Sequence, residues 1–257
     1  MKHINKYIVE KLKINKNKLK SGPEYTLFPN SKTELIDMIK QEININGNKC
    51  SLNHIDISQI THMSNLFSDM YSLEDFDGDI SDWDVSNVKD MSDMFRSSKF
   101  NNDSICGWDV SNVKTMNNMF ENSDFDKDIS IWDVSNVEDM SGMFGYKSKF
   151  NKPLNNWDVS SVKYMAHMFH SNEFFNQPLN DWDVSNVRDM AMMFYKSIFN
   201  QPLNNWNVSK VNDMYCTFLS DKEFNQDISM WKINNKCRTE KMLFDCPIED
   251  KYKPKCL

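Results

Sequence analysis

The sequence predicts an α/β solenoid: a stack of 24–25-residue units, each a short strand followed by a short helix, closed at its start by a helical cap. Three observations carry this expectation. The first is spacing. The seven tryptophans of the chain, Trp83, Trp108, Trp132, Trp157, Trp182, Trp206 and Trp231, follow one another at intervals of 25, 24, 25, 25, 24 and 25 residues. A fixed period of this length marks stacked repeats, because a unit too small to bury its own apolar face must bury it against its neighbours. The second is the pattern around each mark, as in Leu154-Asn155-Asn156-Trp157-Asp158-Val159-Ser160-Ser161-Val162-Lys163-Tyr164-Met165-Ala166-His167-Met168-Phe169. Close copies start at Ile80, Ile105, Ile129, Leu179 and Leu203. The third is that the ends decay. Ile55 takes the tryptophan position in the unit before Trp83, and the unit from Ile228 is degenerate. Open ends of a stacked core need such atypical units.

Taken from the N-terminus, the chain divides into an arm and helical cap over residues 1–51, the repeats over 52–244 and a C-terminal cap or tail over 245–257. Residues 1–22 are rich in Lys and Asn, with Ile4, Ile8 and Leu12 as their few apolar marks. They read as a short helix or loose arm over the first repeat, or as a basic arm that meets an anionic partner. Ser31-Lys32-Thr33-Glu34 is a capping box, and Leu35, Ile36, Ile39 and Ile43 give an amphipathic helix over about 32–44. Asn46-Gly47-Asn48 stops it.

Within each repeat, Trp-Asp-Val alternates apolar and polar residues and predicts a short strand with Trp83 and Val85 on one face. Val88, Met91, Met94 and Phe95 fall at i, i+3, i+6 and i+7, the spacing of one helix face. Asp84 or Ser86 is placed to cap that helix and Asp90 to sit in its first turn. The return through Phe-Asn brings a recurrent Asn at 101, 151, 176, 200 and 225, suited to satisfying loop backbone. Pro153, Pro178 and Pro202 precede the strand, where a missing N–H is tolerated. The methionine pairs Met91/Met94 through Met190/Met193 read as core rather than as metal ligands.

Composition excludes several function classes. At net charge −7 the chain lacks the basic excess of a general phosphate-binding surface, so the repeats are not expected to bind nucleic acid. No 18-residue apolar run occurs, so no membrane span is expected. The first residues lack the apolar stretch of a secretory signal, which sets the expectation of a cytoplasmic protein with reduced thiols. The six cysteines (Cys50, Cys106, Cys216, Cys237, Cys246 and Cys256) do not show the close pairs of a zinc site. His167 and His170, at i and i+3 in one repeat, are two histidines without a third ligand, which is weak as a zinc site. No glycine-rich phosphate loop, nucleophile elbow or H-E-x-x-H occurs, and the Asp and Ser residues recur as copies, whereas an active site is a singular constellation. An enzyme, a cofactor and a metal are therefore not expected.

The run Trp-Asp-Val-Ser-Asn-Val-x-x-Met-x-x-Met-Phe, followed by Phe-Asn-x-(Pro/Asp)-(Leu/Ile), closely resembles the repeat of BspA-like bacterial surface proteins, and the likeness covers 52 to about 244. The resemblance implies a variant leucine-rich-repeat architecture and, in relatives, adhesion or protein binding at a cell surface. Those relatives are exported or lipid-anchored, whereas this sequence opens without an export signal.

With Trp and Val inward, the residues beside them face out. Asp82, Asp84, Asp109, Ile131, Asp133, Asn156, Asp158, Asp181, Asp183, Asn205 and Met230 then form an acidic, amide-rich stripe of the kind stacked repeats offer to partners. Ile131 and Met230 stand out as exposed hydrophobes suited to anchoring an interface. The competing reading is that each Asp after Trp only forms an Asx turn. The expected function is a non-enzymatic scaffold presenting this stripe to a protein partner. The alternatives are a surface adhesin and an inhibitor or decoy that occupies a basic surface on a nucleic-acid enzyme.

Overall fold

A computed structural model describes residues 24–255. The expected capping box forms. Helix α1 spans Lys32–Asn46, with the Ser31 side chain accepting from Glu34 N–H and Glu34 accepting in turn from Asn30 N–H at 2.7 Å. The N–H of Gly47, at φ +81°, donates to Ile43 O and closes the last turn. Leu35, Ile36 and Ile39 are buried in the common core, and Lys32 Nζ reaches Ser64 Oγ of the first unit at 2.9 Å.

The repeats, however, are not an α/β solenoid of strand–helix units. Among the described residues, α1 is the only α-helix, accompanied by three one-turn 3-10 segments at Asp69–Tyr71, Asp103–Ile105 and Asp250–Tyr252, and no sheet is formed. Trp-Asp-Val is not a strand. It lies between two tight turns, closed by Trp83 N–H to Ile80 O and Val88 N–H to Val85 O. Nor is Val88 to Phe95 a helix. Its amides do not bond four residues back. Lys89 N–H goes to Thr61 O of the preceding unit, while Met91, Asp93, Phe95 and Ser97 donate to Thr115, Asn117, Met119 and Glu121 of the following one. Strand-like pairing among the described residues is limited to single parallel bridges: Leu27 to Ile55, Ser51 to Asp79, and a row through His62, Asp90, Thr115, Asp139, Tyr164, Asp189, Asp213 and Arg238, the last inside the segment expected to be helical.

The apolar spacing of three therefore reports turns, not helical turns. Each unit bends inward roughly every three residues, and hydrogen bonds spanning three residues mark the bends, as from Met94 N–H to Met91 O and Ser98 N–H to Phe95 O. Two bends per unit need left-handed backbone. One column holds Asp93, Asn118, Gly142, His167, Met192 and Cys216, and the other includes Ser97, Asn122, Ser171, Lys196 and Ser220, all at positive φ. A right-handed helix cannot pass through such a residue.

What repeats is nonetheless structural, and the inward pattern is as expected. Each Trp and Val of the close copies is buried, as are the methionine pairs. Two phenylalanine columns run through the core. Phe95, Phe120, Phe144, Phe169 and Phe194 stack at 5.6–5.9 Å between ring centres, and Phe100, Phe125, Phe150, Phe175 and Phe199 at 6.3–6.4 Å. Every tryptophan donates its Nε1–H to a carbonyl of the preceding unit, from Trp83 to Leu52 O at 2.9 Å through Trp157 to Ile129 O at 3.1 Å to Trp231 to Leu203 O at 3.0 Å. A buried carbonyl is costly to leave unpaired, which is why phenylalanine does not substitute here. The Phe-Asn column forms a second ladder, with each Oδ1 accepting the backbone N–H one unit later: Asp126 to Asn101, Asn176 to Asn151, Asn200 to Asn176 and Asn225 to Asn200, at 2.9–3.2 Å. Asn151, Asn176, Asn200 and Asn225 are half-buried and Asn101 is exposed.

Candidate functional site

The carboxylates after the tryptophans lie on the outside, in one column on successive units. Asp84, Asp109, Asp133, Asp158 and Asp183 are exposed, and each fixes a turn. Oδ1 accepts the N–H two residues on, from Ser86, Ser111, Ser135, Ser160 and Ser185, at 3.0–3.1 Å. In the first three, the serine hydroxyl donates to the same oxygen at 2.6 Å. The residue expected to start a helix thus makes an Asx turn instead. Serine hydroxyl and amide hold the Asp183 carboxyl below its ordinary range. The second oxygen, Oδ2, of Asp84, Asp109, Asp133 and Asp158 has no hydrogen-bond partner among the described residues. The next unit has Asn207, which makes the same turn with Ser209 N–H at 3.2 Å.

The residues before the tryptophans form a looser column. Asp82 is half-buried and its N–H donates to Asn53 Oδ1. Asn156, Asp181 and Asn205 are exposed, and Asn205 N–H donates to Asn180 Oδ1. Ile131 and Met230 project from this column, 54% and 75% exposed, a whole unit series apart. Of the expected stripe residues, all but the half-buried Asp82 are exposed.

Sequence reading missed a second feature, because it assigned the Val-x-x-Met residues to a helix. Their first x-position is a column of its own, Lys89, Lys114, Glu138, Lys163 and Arg188, joined amide to carbonyl from unit to unit at 2.8–2.9 Å. Where it runs beside the Ser-Asn turns there is a cavity of about 510 Å³, with Lys114, Lys163, Arg188 and Lys210 among its lining residues. Glu138 is the single carboxylate of that lining, and Lys163 grips it at 2.5 Å, holding it below the ordinary carboxylate range. The signal available in the sequence was Ser161, which stands where Asn87, Asn112, Asn136 and Asn186 stand in other units.

His167 and His170 meet edge to face at 5.1 Å, and His170 lies over Tyr146 at 5.9 Å. Burial, then the neighbouring His170, pushes His167 down. No group of three His, Cys, Asp or Glu able to hold a metal occurs among the described residues. Cys50, Cys106, Cys216, Cys237 and Cys246 are free thiols, and Cys256 and the Lys-rich arm fall outside the described residues. No described helix is long and apolar enough to cross a membrane.

Three overlapping matches, over residues 33–144, 121–198 and 182–250, are to the family described as "Mycoplasma protein of unknown function, DUF285". The chain belongs to the DUF285 family. It is a BspA-like repeat family, and the overlap of the three matches is what a repeated unit produces. No curated protein and no solved structure matches the chain.

Proposed function

We propose that this DUF285 chain is a non-enzymatic protein-binding scaffold that meets a basic partner with the column Asp84, Asp109, Asp133, Asp158 and Asp183. One observation carries the reading. Each carboxylate is held by its turn through Oδ1, and in four of the five Oδ2 is left without a partner. A side chain already fixed loses little rotamer freedom on binding. Like charges repeated at each unit also repel one another, and a lysine- or arginine-bearing surface relieves that repulsion while it gains steering. Ile131 and Met230 supply apolar contact along the same stripe.

Asn207 makes the test clean, because it shows that Asn supports the same turn without the charge. The variant with Asp84, Asp109, Asp133, Asp158 and Asp183 all changed to Asn keeps the fold. Its capture of binding partners from cells of the source organism is compared with that of the parent chain at 0.05 and 0.3 M salt. One stoichiometric partner that the parent retains, that salt weakens and that the variant loses supports the proposal. Equal retention by both proteins rejects it.

A further inference from the structure

The cavity beside Ser161 exists because one unit departs from the repeat. In four units the Asn four residues after the Trp or Trp-equivalent position donates Nδ2–H to a serine carbonyl of the preceding unit: Asn87 to Ser58 O, Asn112 to Ser86 O, Asn136 to Ser111 O and Asn186 to Ser160 O, at 2.8–2.9 Å. Ser161 is too short to make the equivalent bond to Ser135 O. In the unit after Asn186 the position is Lys210, whose Nζ donates to Asn186 Oδ1 at 2.8 Å. A missing amide at Ser161, with an ammonium gained two units on that reaches back to Asn186, opens a basic recess in the seam.

The charges there are unusual for a chain of net charge −7. Lys163 is committed to Glu138. Lys114 reaches only the Asn136 carbonyl and amide oxygens, both at 3.4 Å, and Arg188 has no side-chain hydrogen bond or ion pair among the described residues. Lys114 also lies within Coulombic reach of Glu138, but Lys163 holds that carboxylate, so Lys114, Arg188 and Lys210 face one recess without a carboxylate hydrogen-bonded to any of them. Asp183 lies within Coulombic reach of Lys210, but its Oδ1 is taken by the Ser185 turn. A guanidinium with unused donors matches two oxygens of a tetrahedral anion. Ser160, Ser161 and the flanking Asn side chains add hydroxyl and amide groups, which suit ligand hydroxyls.

The geometry points to this recess as a binding site for a hydroxyl-bearing phosphate or sulfate ester of monosaccharide size, with Arg188, Lys114 and Lys210 around the oxoanion. The volume lies in the range of small-ligand sites, about 300–1,000 Å³, and the surrounding acidic surface disfavours an extended polyanion such as nucleic acid. The recess adjoins the stripe, sharing Ser160 with the Asp158 turn, but the assignment does not rest on the stripe binding a protein.

Calorimetric titration of the full chain with glucose 6-phosphate, glucose 6-sulfate, inorganic phosphate and glucose tests the assignment. Saturable binding of either ester, with glucose inert, is the expected result, and the preferred ester distinguishes a phosphorylated metabolite from a sulfated glycan as the source. Arg188→Gln weakens the preferred ester by about tenfold or more, the loss of one charged bidentate contact. Ser161→Asn refills the seam, so it abolishes binding without lowering the melting temperature. That second variant separates a formed recess from loose surface charge. Absence of saturable binding by both esters up to about 10 mM, weaker than any specific site of this kind, overturns the proposal. So does ester binding that both variants leave unchanged.

Discussion

Asp221 shows how a single residue solves a local problem of the repeat. Before the second phenylalanine column each unit has a buried polar residue, and in the short units it is a serine whose Oγ accepts one amide, as Ser98 does from Phe100 and Ser197 from Phe199. In two units one more residue stands between the polar position and the second phenylalanine, and there the position is Asn172 or Asp221. The longer side chain lets one oxygen accept two amides, Phe174 and Phe175 for Asn172, and Glu223 and Phe224 for Asp221. Asp221 is 0% exposed, and burial pushes its carboxyl up to about 6 against 3.8 when free, despite the Ser197 hydroxyl and the amides that favour its charge. A group with a raised folded value stabilises most when protonated, so its contribution is full below pH 3.8, falls as pH rises to about 6 and is flat above. The span corresponds to about 3 kcal/mol. Asp221→Asn, already tested by nature at Asn172, removes this dependence. It is expected to raise stability at pH 7 by up to about that amount. Urea unfolding of both proteins from pH 4 to 7 measures the difference, and parallel curves would reject the assignment.

At the scale of elements, α1 is the piece whose identity and limits were plainest in the amino-acid order, because a helix start is a local event. Ser31, Glu34 and the i, i+3, i+4 apolar residues act within a few positions of one another. The repeat was read with the right inward residues and the wrong backbone. Val88, Met91 and Met94 are inward in both a helix and a chain that turns every three residues, so periodicity alone does not separate them. The left-handed residues that decide the matter are Asp, Asn, Ser, His, Met, Cys and Lys as well as Gly142, so no glycine signal marked them. Gly142 is the exception in another sense: a Cβ there would stand 2.0 Å from Asn118 Oδ1. Helix α1 covers only the first unit, and its contribution is local. Ile39→Ala removes a fully buried side chain and costs about 2–5 kcal/mol. Hydrogen exchange is expected to show protection lost around residues 52–95 and kept around 180–230. Uniform loss along the chain would mean that the units fold as one indivisible body.

At the scale of the molecule, stability comes from contacts between adjacent units: tryptophan to the preceding carbonyl, asparagine to the following amide, ring upon ring. Such an array is a sum of nearest-neighbour terms. Deleting residues 109–132 joins Trp108 to Asp133 and removes one whole period. The shortened chain is expected to melt cooperatively, with its near-ultraviolet tryptophan signal retained and a modestly lower midpoint. A protein without a cooperative transition would show that the units are not interchangeable.

The amino-acid order by itself determined the period, the inward residues and the outward carboxylates after five of the seven tryptophans, because these depend on side-chain polarity at fixed intervals. Tertiary structure alone decided where the backbone hydrogen bonds go. A local helix satisfies each amide four residues back, whereas this chain satisfies many of its amides 24 or 25 residues away. That choice depends on a neighbouring unit already being in place. The basic recess belongs to the same class. Lys114, Arg188 and Lys210 lie far apart in the chain, and only the stacking of successive units brings them around the gap that Ser161 leaves.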